Sequence, residues 1–339
     1  MEVSLQSAWP PPSALSSSEL LAVSNLAVTY KAGSSRKVPA LCGINLRLGA
    51  GEMVGVLGES GSGKSTLAAA LLRLLPHGTE ISGSIFWKNQ DLLSLPCAEL
   101  GSIRGARIAL IHQDPGLALS PVMRVGQQIA EVLRAHCKLG RAERRERVIG
   151  MLQAVDLRNP ERVYRAYPHE LSGGELHRVV IAQALVCRPE LLIADECTRA
   201  LDVATQIEIL RMLREFNQTT GMAILFITHN PVELAGLADR VVVIYGGRIV
   251  EEGALAQVFS RPLHPYSQGL LSLMPRSFRA AGPDRSSLAL IPDLTANSGG
   301  RGCVFEPRCS QRSAICAHEQ PAEVAAEPGR KVSCFQYGN

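Results

Sequence analysis

Gly58-Glu59-Ser60-Gly61-Ser62-Gly63-Lys64-Ser65 has glycine, lysine and hydroxyl at the spacing G-x-x-x-x-G-K-[ST], the pattern of a loop that cradles phosphate. The glycines let successive backbone N–H groups turn inward around phosphate oxygens, and a helix opening there adds its positive end. In such a loop, running from Gly58 through Thr66, Lys64 reaches the β- and γ-phosphates of a nucleoside triphosphate and Ser65 ligates Mg²⁺. A chance glycine-rich turn is the competing reading. The strand pattern before the loop and the helix pattern after it argue against that. Two carboxylates, Asp195 and Glu196, end the apolar run Leu191-Leu-Ile-Ala. An acid at the end of a buried strand lies beside the phosphate loop in a doubly wound sheet, so Asp195 is placed to hold Mg²⁺ directly or through water. Glu196, one residue on, is placed to polarise an attacking water as general base. Alone, such a pair would more often cap a helix. With a phosphate loop upstream it reads as catalytic.

These residues need a sheet to hold them, and the pattern supplies one. Leu21 to Tyr30 alternates like a strand, and Gly51 to Gly58 is a short apolar run ending in glycine. Ser65 to Leu75 is strongly helical. Leu191–Asp195 and Met222–Thr228 are further buried-strand runs, separated by a helix from about Val203 to Gln218. Strands alternating with helices imply an α/β fold with a parallel sheet covered on both faces. Val125 to Ala184 is almost wholly helical in pattern, a helical insert, and the chain after Arg261 becomes Pro- and Gly-punctuated, a small irregular appendage. Residues 1–19 are Ser- and Pro-rich without an apolar period or a charged n-region; they read as a mobile leader rather than a secretory signal.

The 339 residues suffice for one large or two ordinary domains, and 46% apolar with 19% charged is a globular composition. The longest apolar stretches, Leu67–Leu75 and Met222–Ile227, are too short to span a bilayer. Any membrane crossing would fall to a separate subunit. A net charge of +4 is mild, and the run from Arg141 to Arg147 mixes both signs, so it reads as a solvated helix face and no nucleic-acid partner is expected.

Leu171-Ser172-Gly173-Gly174-Glu175 lies about twenty residues before the Asp195-Glu196 pair and resembles the signature of the ABC ATPases. The resemblance covers roughly residues 20 to 260, with every motif in order. It implies an ABC-type nucleotide-binding domain: a RecA-like parallel-sheet core, an antiparallel β subdomain and a helical signature subdomain at about 115–185. It further implies that Ser172, Gly173 and Gly174 grip the γ-phosphate of ATP held by a partner subunit. Gln113 resembles the glutamine that senses Mg²⁺ and water, and Ala200-Leu201-Asp202 the loop crossing the dimer interface. His229 resembles the switch histidine, and Tyr30 the aromatic that stacks on adenine, although a tyrosine there is also ordinary strand packing.

The end of the chain narrows the resemblance. Arg261-Pro-Leu-His-Pro-Tyr266-Ser-Gln-Gly-Leu-Leu and Gly302-Cys-Val-Phe-Glu-Pro-Arg-Cys309 resemble the 261–339 extension of ATP-binding subunits of oligopeptide, dipeptide and nickel importers. That family implies ATP hydrolysis driving uptake of a peptide or metal chelate. It also implies a sibling ATPase chain, two permease subunits, a solute-binding protein and a place on the cytoplasmic face of the cell membrane. ABC proteins of DNA repair or translation are the alternative; they usually carry two ATPase units, long coiled coils or basic arms, none of which this sequence has. The sequence also departs from the family pattern at His112, at Gly116–Ser120, at Cys197 and Arg199 after the catalytic glutamate, and at Asn230.

Of nine cysteines, Cys303, Cys309, Cys316 and Cys334 crowd the end of the chain. Their spacing holds no C-x-x-C pair, so a simple zinc ribbon does not fit. Four thiolates suit a [4Fe–4S] cluster or a Cys₄ zinc site equally by count, and unliganded thiols remain open; the resemblance favours iron–sulfur.

Overall fold

The computed structural model describes residues 19–32, 36–199, 201–272, 274 and 302–338. Of the leader read at 1–19, residues 1–18 lie outside the described residues, as do Ala200 and the stretch 276–301, whereas Glu19 already opens the first strand. In chain order, strands β1 (Glu19–Ala32), β2 (Arg36–Gly49) and β3 (Met53–Leu57) precede helix α1 (Lys64–Leu71). Strands β4 (Glu80–Trp87) and β5 (Gln90–Asp91), helix α2 (Cys97–Ile103) and strand β6 (Ile108–Ile111) follow. Five helices come next: α3 (Pro115–Ala118), α4 (Val125–His136), α5 (Arg141–Ala154), α6 (Pro160–Arg165) and α7 (Gly173–Leu185). Then come β7 (Leu191–Asp195), α8 (Val203–Thr220), β8 (Ala223–Thr228), α9 (Pro231–Leu234), β9 (Arg240–Tyr245) and β10 (Arg248–Ala254). The chain closes with α10 (Leu255–Ser260), α11 (Pro265–Ser272), β11 (Val324–Glu327) and β12 (Arg330–Val332). These elements fall into two compact units.

One unit contains Arg47–Met53 and Trp87–Phe226. Its strands run in the order β8, β7, β6, and β6 lies parallel to β7 with Ile108 opposite Leu191 and Ile111 opposite Ala194. All five residues of β7 and all six of β8 are buried, which is why both read as unbroken apolar runs instead of alternating ones. The helical insert forms as α4 to α7, with α5 packed on α4, α6 and α7. On α4 the buried Val125, Ile129 and Leu133 recur every four residues and make one apolar stripe. Burying each such side chain contributes about 1.5–3 kcal/mol. Helix α8 runs to Thr220, two residues past the expected end, because Gly221 at φ 70° supplies the left-handed cap that stops it.

The other unit contains Ala22–Leu46, Val54–Phe86 and the described residues from Ile227 onward. One sheet runs in the order β2, β1, β4, and a second in the order β11, β12, β10, β9, β3. Strand β3 is parallel to β9, pairing Val54 with Arg240 and Leu57 with Val243, whereas β10 returns antiparallel to β9. The appendage is more regular than its composition implies. Strand β12 pairs antiparallel with β10, Glu251 opposite Val332, so the end of the chain extends the sheet. A buried ion pair fastens it: Arg330 reaches Glu251 at 2.7 Å, with 1% and 0% of the two side chains exposed. Glu251 also accepts the N–H groups of Leu263 and His264, each at 2.9 Å. With three donors the carboxylate is satisfied, the condition under which a buried charge is tolerated.

Candidate nucleotide site

The expected phosphate loop joins fully buried β3 to α1. Gly61 and Gly63 adopt φ of 80° and 106°, left-handed values that L side chains rarely reach. A Cβ at Gly63 would stand 2.6 Å from the Ala40 carbonyl oxygen, and one at Gly58 would stand 2.3 Å from that of Ile244. The motif glycines are thus required by backbone crowding as well as by conformation. Gly63 brings no side chain to cap α1, which leaves its first turn open to an anion. Lys64 is buried, and its Nζ donates to the carbonyls of Gly58 and Glu59, both at 2.8 Å. Ser62 is also buried, while Ser60 and Ser65 are exposed. The ammonium is therefore tethered to the carbonyls of the loop itself.

Tyr30 is half-buried in β1, and its hydroxyl donates to Thr66 Oγ1 at 3.1 Å, next to the loop. His229 is exposed at the end of β8. Asn230 after it caps α9, its Oδ1 accepting the Val232 N–H at 3.1 Å, so this departure keeps the local turn an aspartate would make.

In the unit that carries the carboxylates, Asp195 and Glu196 are 3% and 7% exposed at the end of β7. Glu196 takes φ of 47°, a left-handed backbone costing about 1–2 kcal/mol for a residue with a side chain. Strain of this kind persists where surrounding structure over-determines it, and it gathers at functional sites. Arg199 donates to Glu196 Oε2 at 3.1 Å, so the family departure at 199 bears on the expected base itself. Ser172 and Gly173 are exposed at the start of α7, and Ser172 makes a capping box with Glu175. Burial works to raise the Glu175 carboxyl, but the Ser172 backbone and hydroxyl, with Arg162, overcome it and hold the group below its ordinary range. Gly174 faces Thr205, whose Cγ2 would be 3.6 Å from an added Cβ. Asp202 is the cap of α8, accepting the Thr205 N–H at 3.0 Å and its hydroxyl at 2.7 Å. Gln113 is half-buried and lines an open cavity with Leu117, His177 and Arg199.

The four clustered cysteines share one neighbourhood. The Cys303 N–H donates to the Cys316 carbonyl at 2.8 Å. Burial raises the Cys303 thiol first, and Cys316, Cys309 and Cys334 raise it further. Among the described residues, no group of three or more His, Cys, Asp or Glu side chains is set to hold a metal ion as it stands.

Two residues at the phosphate loop escaped the sequence reading as to role. Tyr266 Oη accepts the Glu59 N–H at 2.8 Å, and Arg308 grips the Glu59 carboxylate at 2.8 and 3.0 Å. They stand 207 and 249 residues from Glu59, beyond any local periodicity.

Comparison with known proteins agrees with this geometry. The ABC transporter family matches residues 41–199, and the oligopeptide/dipeptide transporter C-terminal region matches 250–316. The chain is 43% identical over 319 residues to the oligopeptide transport ATP-binding protein OppD of Salmonella typhimurium, covering 94% of this chain and 93% of that one. With OppD of Escherichia coli the identity is 41% over 334 residues, covering 98% and 97%. Among solved structures, the dimeric post-hydrolysis state of an ATP-binding cassette bound to ADP and phosphate aligns at a TM-score of 0.63. That match is 30% identical and covers 70% of this chain and 99% of that one.

Proposed function

The chain belongs to the ABC transporter family as an ATP-binding subunit, and on that premise we propose that it hydrolyses ATP to drive uptake of di- or oligopeptides. The observation that carries this reading is Lys64, a buried ammonium held over a glycine cradle at the open end of α1. In our reading Lys64 exchanges its two carbonyl partners for the β- and γ-phosphates, and the first-turn N–H groups of α1 share the charge. Glu196 takes the proton of the water that attacks the γ-phosphorus, giving ADP and phosphate. His229 holds the γ-phosphate, and Tyr30 stacks on adenine. Ser65, Gln113 and Asp195 offer the oxygen donors that suit Mg²⁺, which when bound neutralises phosphate charge. Ser172 and Gly173, exposed on this chain, and the half-buried Gly174 beside them serve ATP bound to a second cassette, and Asp202 lies at that same interface. The relatives that match over nine-tenths of this chain support peptides as the cargo.

Among the described residues no helix is long and apolar enough to cross a membrane. Permeation in our reading belongs to two partner permeases, with a solute-binding protein delivering cargo and this chain on the cytoplasmic face of the cell membrane. Leu117, 86% exposed on the cavity that Gln113 lines, and Val122, 81% exposed five residues on, support an apolar permease contact there. The second cassette is a sibling chain. The finer reading of the tail is that Cys303, Cys309, Cys316 and Cys334 draw together on a [4Fe–4S] cluster, or on zinc, which stabilises the appendage; their mutual proximity and four-thiol chemistry support it. Steady-state ATPase of the assembled complex tests the core of the proposal. Glu196→Gln should bind ATP yet lose nearly all hydrolysis, and turnover within a few-fold of wild type would remove Glu196 as base.

A further inference from the structure

Glu59, the second residue of the phosphate loop, has every polar group engaged. Its carbonyl accepts from Lys64 Nζ at 2.8 Å and from the Ser62 N–H at 3.1 Å. Its N–H donates to Tyr266 Oη, and its carboxylate takes both arms of the Arg308 guanidinium. The first pair of contacts lies within the loop. The second pair comes from the chain after Arg261. We propose that Arg308 and Tyr266 are positioning residues that set the loop conformation receiving the triphosphate, so that nucleotide affinity depends on the C-terminal extension.

The extension is built to hold these two groups still. The Arg308 side chain is 8% exposed, donates to Tyr245 Oη at 3.2 Å, and lies 5.5 Å from the centre of that ring. Tyr266 is fully buried and packs 4.6 Å from Tyr245 and 5.6 Å from Phe305, centre to centre. Its own N–H donates to His264 Nδ1 at 3.0 Å, and the His264 N–H is fixed by the buried Glu251–Arg330 pair. A rigid path thus runs from β10 and β12 through the His264–Tyr266 turn to the cradle. Docking alone would need only apolar packing anywhere on the unit. Here a planar fork and a buried hydroxyl meet on a residue whose carbonyl, together with that of Gly58, also restrains Lys64. Two parallel charge-assisted bonds fix orientation as well as distance. Without them Glu59 turns outward, its N–H loses its buried partner, and the carbonyl that steers Lys64 moves with it.

This inference rests on the ATPase reading of the loop, and the experiment separates the two. Steady-state ATPase of the assembled transporter is measured for wild type, Arg308→Gln, Glu59→Gln and the double variant, alongside equilibrium binding of a fluorescent ATP analogue. Positioning predicts that each single variant raises KM for ATP and the analogue Kd about tenfold, equivalent to about 1.4 kcal/mol. The double variant should be no worse than either single one, because both remove the same contact. Tyr266→Phe should weaken binding in the same sense, and Arg308→Lys, which keeps the charge but not the fork, should fall between wild type and Arg308→Gln. A role confined to docking the tail would lower kcat through loss of active complex at unchanged KM and Kd, and that result overturns the proposal. Additive effects in the double variant would also overturn it. If wild type fails to hydrolyse ATP, the ATPase reading has failed, while analogue binding still reports on the clamp.

Discussion

Arg199→Thr removes the charge that sits on the proposed general base. Arg199 donates to Glu196 Oε2 at 3.1 Å, with 54% of the arginine and 9% of the glutamate side chain exposed. Two unit charges about 4 Å apart attract by about 1 kcal/mol in water and about 4 kcal/mol near a protein surface. Exposed pairs retain only about 0.2–1 kcal/mol once solvent and side-chain entropy are counted. Half-exposed Arg199 on a buried carboxylate belongs near the top of that lower range, so we take about 1 kcal/mol. Arg199 stabilises the carboxylate and occupies one of its oxygens, and both effects oppose proton abstraction from water. Replacing it should therefore raise kcat about fivefold with KM for ATP little changed, since about 1.4 kcal/mol is tenfold. The assay is steady-state ATPase of the assembled complex, with Arg199→Lys as the variant that keeps a charge and should stay near wild type. A fall in kcat for Arg199→Thr would refute the reasoning and make Arg199 a support for the strained Glu196 backbone instead of a brake.

Arg330→Met should destabilise the unit holding the extension by about 3 kcal/mol in urea denaturation, because Glu251 would stay buried without its cation; a loss below about 1 kcal/mol would contradict that pairing. Burial pushes the His264 imidazole down to about 3 from its ordinary 6.5. The unfolded chain then binds a proton the folded one refuses, so stability is full above pH 6.5 and is lost progressively as pH falls toward 3. Between pH 7.5 and 5.5 His264 should account for about 1.4 kcal/mol, a difference that His264→Asn should abolish. Cys309→Ser should lower iron in anaerobically purified protein to background; zinc lost in its place would favour the zinc alternative, and an unchanged metal content would remove Cys309 from the ligand set.

The sheet was legible because its strands are continuous apolar runs. Leu191–Asp195 and the stretch to Thr228 read as buried strands and are buried at every position. The glycine loop between β3 and α1 was legible for a related reason: backbone crowding at Gly58 and Gly63 leaves a fixed glycine spacing in the sequence. Other features depend on contacts between residues far apart. Composition after Arg261 suggested an irregular appendage, yet β12 pairs with β10 because Glu251 and Arg330 satisfy each other across 79 residues. Arg308 and Tyr266 carried family resemblance but no local pattern tying them to Glu59. The left-handed backbone of Glu196 was equally hidden, since a glutamate there gives no hint of strain. Arg199 was visible only as a departure; its ion pair with Glu196 depends on the turn that follows β7.

Uptake into sealed vesicles tests the central claim most directly. The chain would be assembled with the sibling cassette, permeases and solute-binding protein proposed for it, ATP supplied on the cassette side and a labelled peptide on the other. The account predicts that peptide accumulates with ATP, stays outside without it, and stays outside when Lys64→Ala or Glu196→Gln replaces the wild-type chain. ATP hydrolysis that proceeds with no peptide movement, or peptide uptake that persists in the Lys64→Ala complex, would contradict it.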